Sequence, residues 1–252
     1  MASANLEIRV QADTQELTRV AVQEVVDCAN KAIRANGVFT LALAGGSTPR
    51  SLYTLLASHP FRDQVAWDKV KFFWGDERHV PPDHQDSNYK MAHEAMLSHL
   101  PIPPDHIHRM LGEMSSPQEA ADWYESVLRE QFQSPPPEIP HFNLVLLGMG
   151  PDGHTASLFP GTPAVHETSR LVSAPWVEKF QTHRITLTPS ILNQAEQVVF
   201  LVSGGDKAET LREVLEGPYE PDRFPSQVIR PTQGKLTWLV DQAAARELRR
   251  RP

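Results

Sequence analysis

A single cysteine, Cys28, occurs among the 252 residues. No internal disulfide can form, which excludes a disulfide-stapled scaffold and fits a reducing compartment. Cys28 lies in VAVQEVVDCANKAI, an amphipathic pattern that assigns it a packing role. Long apolar runs are missing too. None approaches the roughly 20 residues that span a bilayer, so no membrane partner is expected. The opening MASANLEIRV lacks the basic-then-apolar order of a secretory signal, and a cytoplasmic protein is expected. Positive charge is in deficit: Lys and Arg number 24 against 31 Asp and Glu, for a net charge of −7. That argues against a nucleic-acid partner, which wants a basic face. It leaves room for a phosphorylated small molecule, because a pocket needs only two or three local cations. HExxH and cysteine clusters are absent, and HIH at 106–108 sits in a proline-rich stretch with no third ligand evident, so no metal is expected. There is no GxSxG elbow of a serine hydrolase.

What is present is a regular alternation. Residues 14–36 carry apolar side chains at helical steps (Leu17, Val20, Ala21, Val25, Ala29, Ile33), with Gly37 as a stop. VFTLALAGG reads as a buried strand and TPRSLYTLLAS as the helix after it, with Thr48 as N-cap and Pro49 at the first helical position. VKFFWGDERHV gives a strand at 70–74 and then a loop, and SNYKMAHEAMLSHL gives a helix. SPQEAADWYESVLREQF is a helix from about 117, capped by Ser116 with Glu119 as its capping-box partner. SPPPEIP is a stiff connection. FNLVLLGMG, RITLTP, QVVFLVSGG and KLTWLVD read as strands, and SILNQ, DKAETLREVLEG and QAAARELRR as helices. Strands separated by helices predict an α/β fold over 1–252, one domain with a mostly parallel sheet flanked by helices on both faces. Ligands of such sheets bind at the carboxyl ends of strands, which directs attention to the loops that follow them.

Four such loops carry chemistry. AGGSTPR brings Gly45 and Gly46, the hydroxyls of Ser47 and Thr48, and a helix N-terminus, which together make an anion cradle; it is neither a GxxxxGK[ST] nor a GxGxxG loop. WGDERHVPPDHQDSN places Asp76, Glu77, Arg78 and His79 directly after an apolar strand. LGMGPDGHTASLFPG holds Asp152 and His154 in a turn expected to swing into a short helix at TASLF. Histidine has the side chain whose unperturbed pKa suits proton transfer at neutral pH, and Asp152 could orient it or cap the helix. VSGGDK repeats the strand–Gly–Gly–helix pattern with Lys207 on the first turn, and Arg184 opens the RITLTP strand as a further cation. The set describes an enzyme acting on a small phosphorylated molecule by proton transfer or hydrolysis, with no cofactor expected.

LAGGSTPRSLY, WGDERHVPPDHQDSNY, LGMGPDGHTASLFPGTP, RITLTPSILNQA and VSGGDKAETL, with VIRPTQGKLTWLVDQAAA near the C-terminus, resemble the ordered blocks of the 6-phosphogluconolactonase family, related to the glucosamine-6-phosphate deaminases. The resemblance covers about residues 45–245. It implies a Rossmann-like α/β domain and hydrolysis of 6-phospho-D-glucono-1,5-lactone, a step of the oxidative pentose phosphate pathway. On that reading His154 activates water, Asp152 supports it, and Arg78 or backbone amides stabilise the oxyanion. Asp76 holds a sugar hydroxyl. Gly45, Gly46, Ser47 and Thr48 cradle the phosphate, with Arg184 and Lys207 neutralising it. One departure separates the branches. The deaminases carry a glutamate five residues after the histidine, and this chain has Phe159 there. A sugar-phosphate isomerase or deaminase, and a non-catalytic sugar-phosphate sensor, are the rival readings. The sensors come with a helix-turn-helix, for which the stretch before the first glycine loop leaves no room. A monomer is favoured.

Overall fold

The computed structural model describes residues 5–249. Its strands are β1 (Asn5–Gln11), β2 (Phe39–Leu43), β3 (Val70–Trp74), β4 (Asp76–Arg78), β5 (Leu144–Gly148), β6 (Val172–Ser173), β7 (Trp176–Val177), β8 (Thr182–Leu187), β9 (Gln197–Val202) and β10 (Lys235–Asp241). Its α-helices are α1 (Thr14–Asn36), α2 (Ser47–Leu56), α3 (Asn88–Ala95), α4 (Pro117–Phe132), α5 (Pro189–Leu192) and α6 (Ala208–Glu216). No helix among the described residues is long and apolar enough to cross a membrane.

The central strands are apolar on both faces because helices cover both. All of β2 is buried, as are five of the six residues of β9. Phe200 and Trp238 are register partners on β9 and β10, and their rings stack in parallel at 3.8 Å. Two fully buried aromatics of this size each contribute on the order of 2–3 kcal/mol through burial alone. Helix α1 buries Leu17, Ala21, Val25 and Ala29 along one stripe. It begins where Asp13 accepts a hydrogen bond from Glu16 N and ends at Gly37, whose φ of 77° suits a residue without Cβ. Cys28 packs against this core, donates its thiol to Gln197 Oε1 (3.3 Å), and is pushed up to about 12 by burial. A buried thiol of that kind is a packing group.

The main sheet runs β1-β10-β9-β5-β2-β3, parallel throughout. From β2 the chain first adds β3 on one side and later β5 on the other. The order therefore reverses between β2 and β5, which opens a crevice at their carboxyl ends. A second, antiparallel sheet of β4, β8 and β6, with β7 against β8, lies beside that crevice.

Several local expectations change. Asp76–Arg78 is a strand rather than a loop, because β8 supplies a partner more than a hundred residues away in sequence. Helix α2 begins at Ser47 with Gly46 as its cap (φ 104°), so Thr48 is inside the helix and Pro49 is its third residue. Proline is tolerated there because the first-turn N–H groups have no intrahelical partner. Of QAAARELRR, whose last residue lies outside the described ones, the described residues form only a 3-10 turn at Ala244–Glu247. Strand β1, absent from the periodicity reading, is an edge strand whose Glu7 pairs with Arg9 and Lys235.

HIH at 106–108 is structural. His106 Nδ1 bonds to Val70 O (3.1 Å), Ile107 bridges Phe72, and His108 stacks on Phe73 at 4.7 Å with its Nε2 buried and unpartnered. Burial, then Lys71 and His106, push His108 down to about 4. An unfolded histidine titrates near 6.5, so between the two values the unfolded chain holds the extra proton. Stability is thus lost as pH falls from about 6.5 towards 4. We expect His108→Phe to remove on the order of 1–2 kcal/mol of that loss, a value discounted for partial solvent access. Urea midpoints of both proteins at pH 7.0 and 4.5 check it, the difference between them being the readout.

Candidate active site

The crevice holds a cleft of about 350 Å³. Of the ten residues singled out in the sequence, nine line it, and Asp152 stands behind His154. They come from five separate segments.

The first wall is the β2–α2 turn. Gly45 is pressed against Asn88, where an added Cβ would fall 2.0 Å from its Oδ1. Gly46 takes a φ that side chains rarely adopt, and no side chain caps α2. The first turn of α2 therefore lines the cleft with no side chain capping its N–H groups, an arrangement that can receive an anion.

The second wall is β4. Alternation along the strand turns Asp76 and Arg78 to the cleft and Glu77 away from it. Asp76 accepts from Ser157 Oγ (2.7 Å) and Asn88 Nδ2 (3.3 Å). Arg78 donates to Asp86 O and is the register partner of Arg184 on β8. Glu77 is 2% exposed and accepts from Arg78 N, Asn88 N, Tyr89 N and Ser87 Oγ, at 2.7–3.0 Å. Burial raises its pKa against those donors. It ties β4 to the start of α3 and is a structural carboxylate.

The third wall follows β5. Gly148, Gly150 and Gly153 have GxGxxG spacing after a strand, yet no helix follows them. A Cβ on Gly150 would lie 2.1 Å from the His154 ring, and one on Gly153 would lie 2.9 Å from Phe224. These glycines make room for side chains, not for a pyrophosphate. The expected helix at TASLF is instead a tight turn, with Ala156 at φ 47° and Thr155 bridging Leu158. Thr155 Oγ1 donates to Gly148 O (2.8 Å) and Ser157 Oγ to Asp76, side-chain bonds that hold the turn in place of helical ones.

His154 Nδ1 bonds to Asp152 Oδ1, and Lys179 Nζ reaches Asp152 Oδ2 at 3.0 Å. Burial pushes the Asp152 carboxyl up, but the hydrogen bond and charge of His154, with Lys179, outweigh it and the net shift is down. An ionised Asp152 can only accept, so Nδ1 carries a proton whichever form the ring takes, and in the neutral form Nε2 is the nitrogen with the lone pair. Phe159 stacks on the imidazole at 4.1 Å and 24°. The pair can therefore act as a general base held in one tautomer and one plane.

The cations complete the cleft. Arg184 is the third residue of β8 rather than its opening one. It is half-buried, and among the described residues its guanidinium has no carboxylate partner. Burial, then Arg78, hold its pKa down. Lys207 closes a 3-10 turn before α6 and pairs with Asp206. Its loop is tied by Asp241 at the end of β10, which accepts from Ser203 Oγ (2.6 Å), Gly204 N (3.1 Å), Ala244 N (2.8 Å) and Thr14 Oγ1 (3.2 Å).

Sequence reasoning missed Asn88, Ser157, Lys179, Phe180 and Asp241. Asn88 had a signal, since it closes the WGDERHVPPDHQDSN stretch. The others meet the site only through folding.

A crevice at the switch point of a parallel sheet, an anion cradle and a His–Asp pair define a sugar-phosphate enzyme class. The chain belongs to the glucosamine-6-phosphate isomerase/6-phosphogluconolactonase family, whose model matches residues 12–238. It is 42% identical to the 6-phosphogluconolactonase of Synechocystis sp., over 96% of this chain and 98% of that protein. Identity to the Nostoc sp. 6-phosphogluconolactonase is 41%, covering 96% and 98%. Among solved structures, 6-phosphogluconolactonase from Trypanosoma cruzi superposes with a TM-score of 0.87 at 32% identity, covering 99% of each chain.

Asp241 generates a prediction. Asp241→Ala would strand buried donors of the Gly204 loop and of the turn at Ala244. We expect a loss of roughly 2–3 kcal/mol of unfolding free energy, read by chemical denaturation.

Proposed function

We propose that the chain hydrolyses 6-phospho-D-glucono-1,5-lactone to 6-phosphogluconate, as a cytoplasmic enzyme. The observation that carries this is the half-buried Arg184, with no carboxylate at ion-pair distance among the described residues, in the same cleft as the His154–Asp152 pair. A partly desolvated guanidinium without a counter-ion is costly, and a phosphate dianion removes the cost.

In this reading the phosphate lies on the α2 N-terminus at Gly45, Gly46, Ser47 and Thr48, with Arg184 and Lys207 neutralising it. Anchoring the phosphate holds the lactone carbonyl near His154, so that binding at a remote group serves orientation. Nε2 of His154 takes a proton from water as the water oxygen bonds to the carbonyl carbon. The carbon–ring oxygen bond then breaks, and the same proton passes to the departing ring oxygen. Arg78, on the strand edge facing the cleft, stabilises the oxyanion of the tetrahedral intermediate. Asp76 accepts from a sugar hydroxyl with the lone pairs that Ser157 and Asn88 leave free. Phe159 supports hydrolysis over deamination. The deaminases it resembles place a glutamate there, and an apolar ring on the imidazole leaves no second carboxylate for ring opening.

His154→Ala is expected to lower turnover by two to four orders of magnitude, measured as lactone hydrolysis corrected for the spontaneous rate. A rate near that of the parent would refute the general-base role. Arg184→Ala and Lys207→Ala are expected to act chiefly on KM, and an unchanged KM in both would remove the phosphate from this end of the cleft. Ammonia release from glucosamine-6-phosphate, with no lactone hydrolysis, would favour the deaminase reading.

A further inference from the structure

Phe180 is 45% exposed, an unusual place for a phenyl ring, yet it lines the cleft. It is not on a loose tip. It ends a 3-10 turn, Glu178–Phe180, closed by Gln181 at φ 50°. Gln181 Nε2 donates to Glu178 O (2.9 Å) and Oε1 (2.7 Å), and Trp176 Nε1 donates to Glu178 Oε2 (2.8 Å). The ring stands edge-to-face on Phe159 at 5.6 Å, and Phe159 in turn lies on His154. The Arg184 guanidinium sits 5.0 Å from the Phe180 centroid, and Lys179 Nζ sits 5.6 Å from it. Among the described residues this ring is the one side chain in direct contact with the Arg184 guanidinium as a hydrogen-bond, ion-pair or ring partner.

We propose that Phe180 is a positioning residue for the anion site, holding the Arg184 guanidinium over the cleft by a cation–π contact until a phosphate dianion takes it. The inference deepens the proposed function, because it concerns how that site engages the phosphate. The alternatives open to Arg184 are poor. Arg78 lies directly across the strand pair and repels it, and Asp76, Glu77 and Asp86 attract it only from beyond ion-pair distance, none of them bonding to it among the described residues. A ring face attracts the cation without neutralising it, so the full charge remains for the ligand. Holding the side chain in place beforehand also lowers the ordering cost of binding. The same ring braces Phe159, but His154 has its own anchors in Asp152 and Gly150, so the effect falls on binding rather than on proton transfer.

The test uses Phe180→Leu, which keeps an apolar side chain and loses the π face, and Phe180→Trp, which restores it. Both are compared with the parent and with Arg184→Ala and the Phe180→Leu/Arg184→Ala double variant. The probe is inorganic phosphate, titrated calorimetrically, with KM and kcat for the lactone measured alongside. Phe180→Leu is expected to weaken phosphate roughly fivefold and raise KM by a similar factor, with a smaller change in kcat. Phe180→Trp is expected to restore affinity, and Phe180→Leu is expected to add little once Arg184 is gone. Parent-like phosphate affinity in Phe180→Leu, a loss that falls on kcat instead of KM, or full additivity in the double variant would each overturn the inference. If the parent bound phosphate but did not hydrolyse the lactone, the proposed reaction would fail while the phosphate titrations still decided the role of Phe180.

Discussion

Three residues of β4 pair antiparallel with β8, and the cleft depends on that pairing. The register sets Asp76 opposite Thr186 and Arg78 opposite Arg184, which brings two guanidiniums to one edge. Alternation along the strand then sorts three consecutive charged residues by face. Asp76 and Arg78 serve the cleft, and Glu77 is driven inward onto the N-terminus of α3. A one-residue slip would exchange those faces and bury an arginine where a carboxylate now gathers backbone donors. Glu77 is therefore as important to the position of the site as any residue that lines it.

The site holds two arginines with no carboxylate at ion-pair distance among the described residues. Several arginines elsewhere find acids: Arg9 with Glu7 and Glu24, Arg109 with Glu113, Arg129 with Glu125. Among the described residues, the Arg78 guanidinium in the cleft bonds to a backbone carbonyl and that of Arg184 lies against an aromatic face. Functional sites commonly retain such local conflict, stabilised by their surroundings. Here the surroundings are rigid ones: buried β2 and β5, the Asp241 cluster behind Gly204, and a turn held by Thr155 and Ser157.

Much of the fold was legible because its signals are local and strong. The apolar runs of β2, β5, β9 and β10 can be little else than buried strands, and α1 shows its stripe and its Gly37 stop. The errors share a cause. Asp76–Arg78 looks like a solvated charge run until β8 is beside it. TASLF has helical composition, but Thr155 and Ser157 spend their hydroxyls on Gly148 and Asp76. Strand β1, with charges alternating along it, needs β10 to make it a strand. The site was legible to the extent that it lies in loops after strands, where nine of the ten residues singled out meet. Lys179, Phe180 and Asp241 were not, since a lysine, a phenylalanine and a strand-end aspartate carry no motif of their own.

The sequence by itself determined the class of fold, the four polar loops after strands and the presence of Phe159 five residues after His154, because each rests on residues adjacent in the chain or on a simple period. Tertiary structure alone decided which face of β4 meets the cleft and that Arg184 stands beside Arg78. It also decided that Asp152 is shared between His154 and Lys179, and that Phe159 lies flat on the imidazole. Those relations come from strand register and from side-chain packing across distant segments. They are set by the requirement that buried polar groups find partners, which no local pattern encodes.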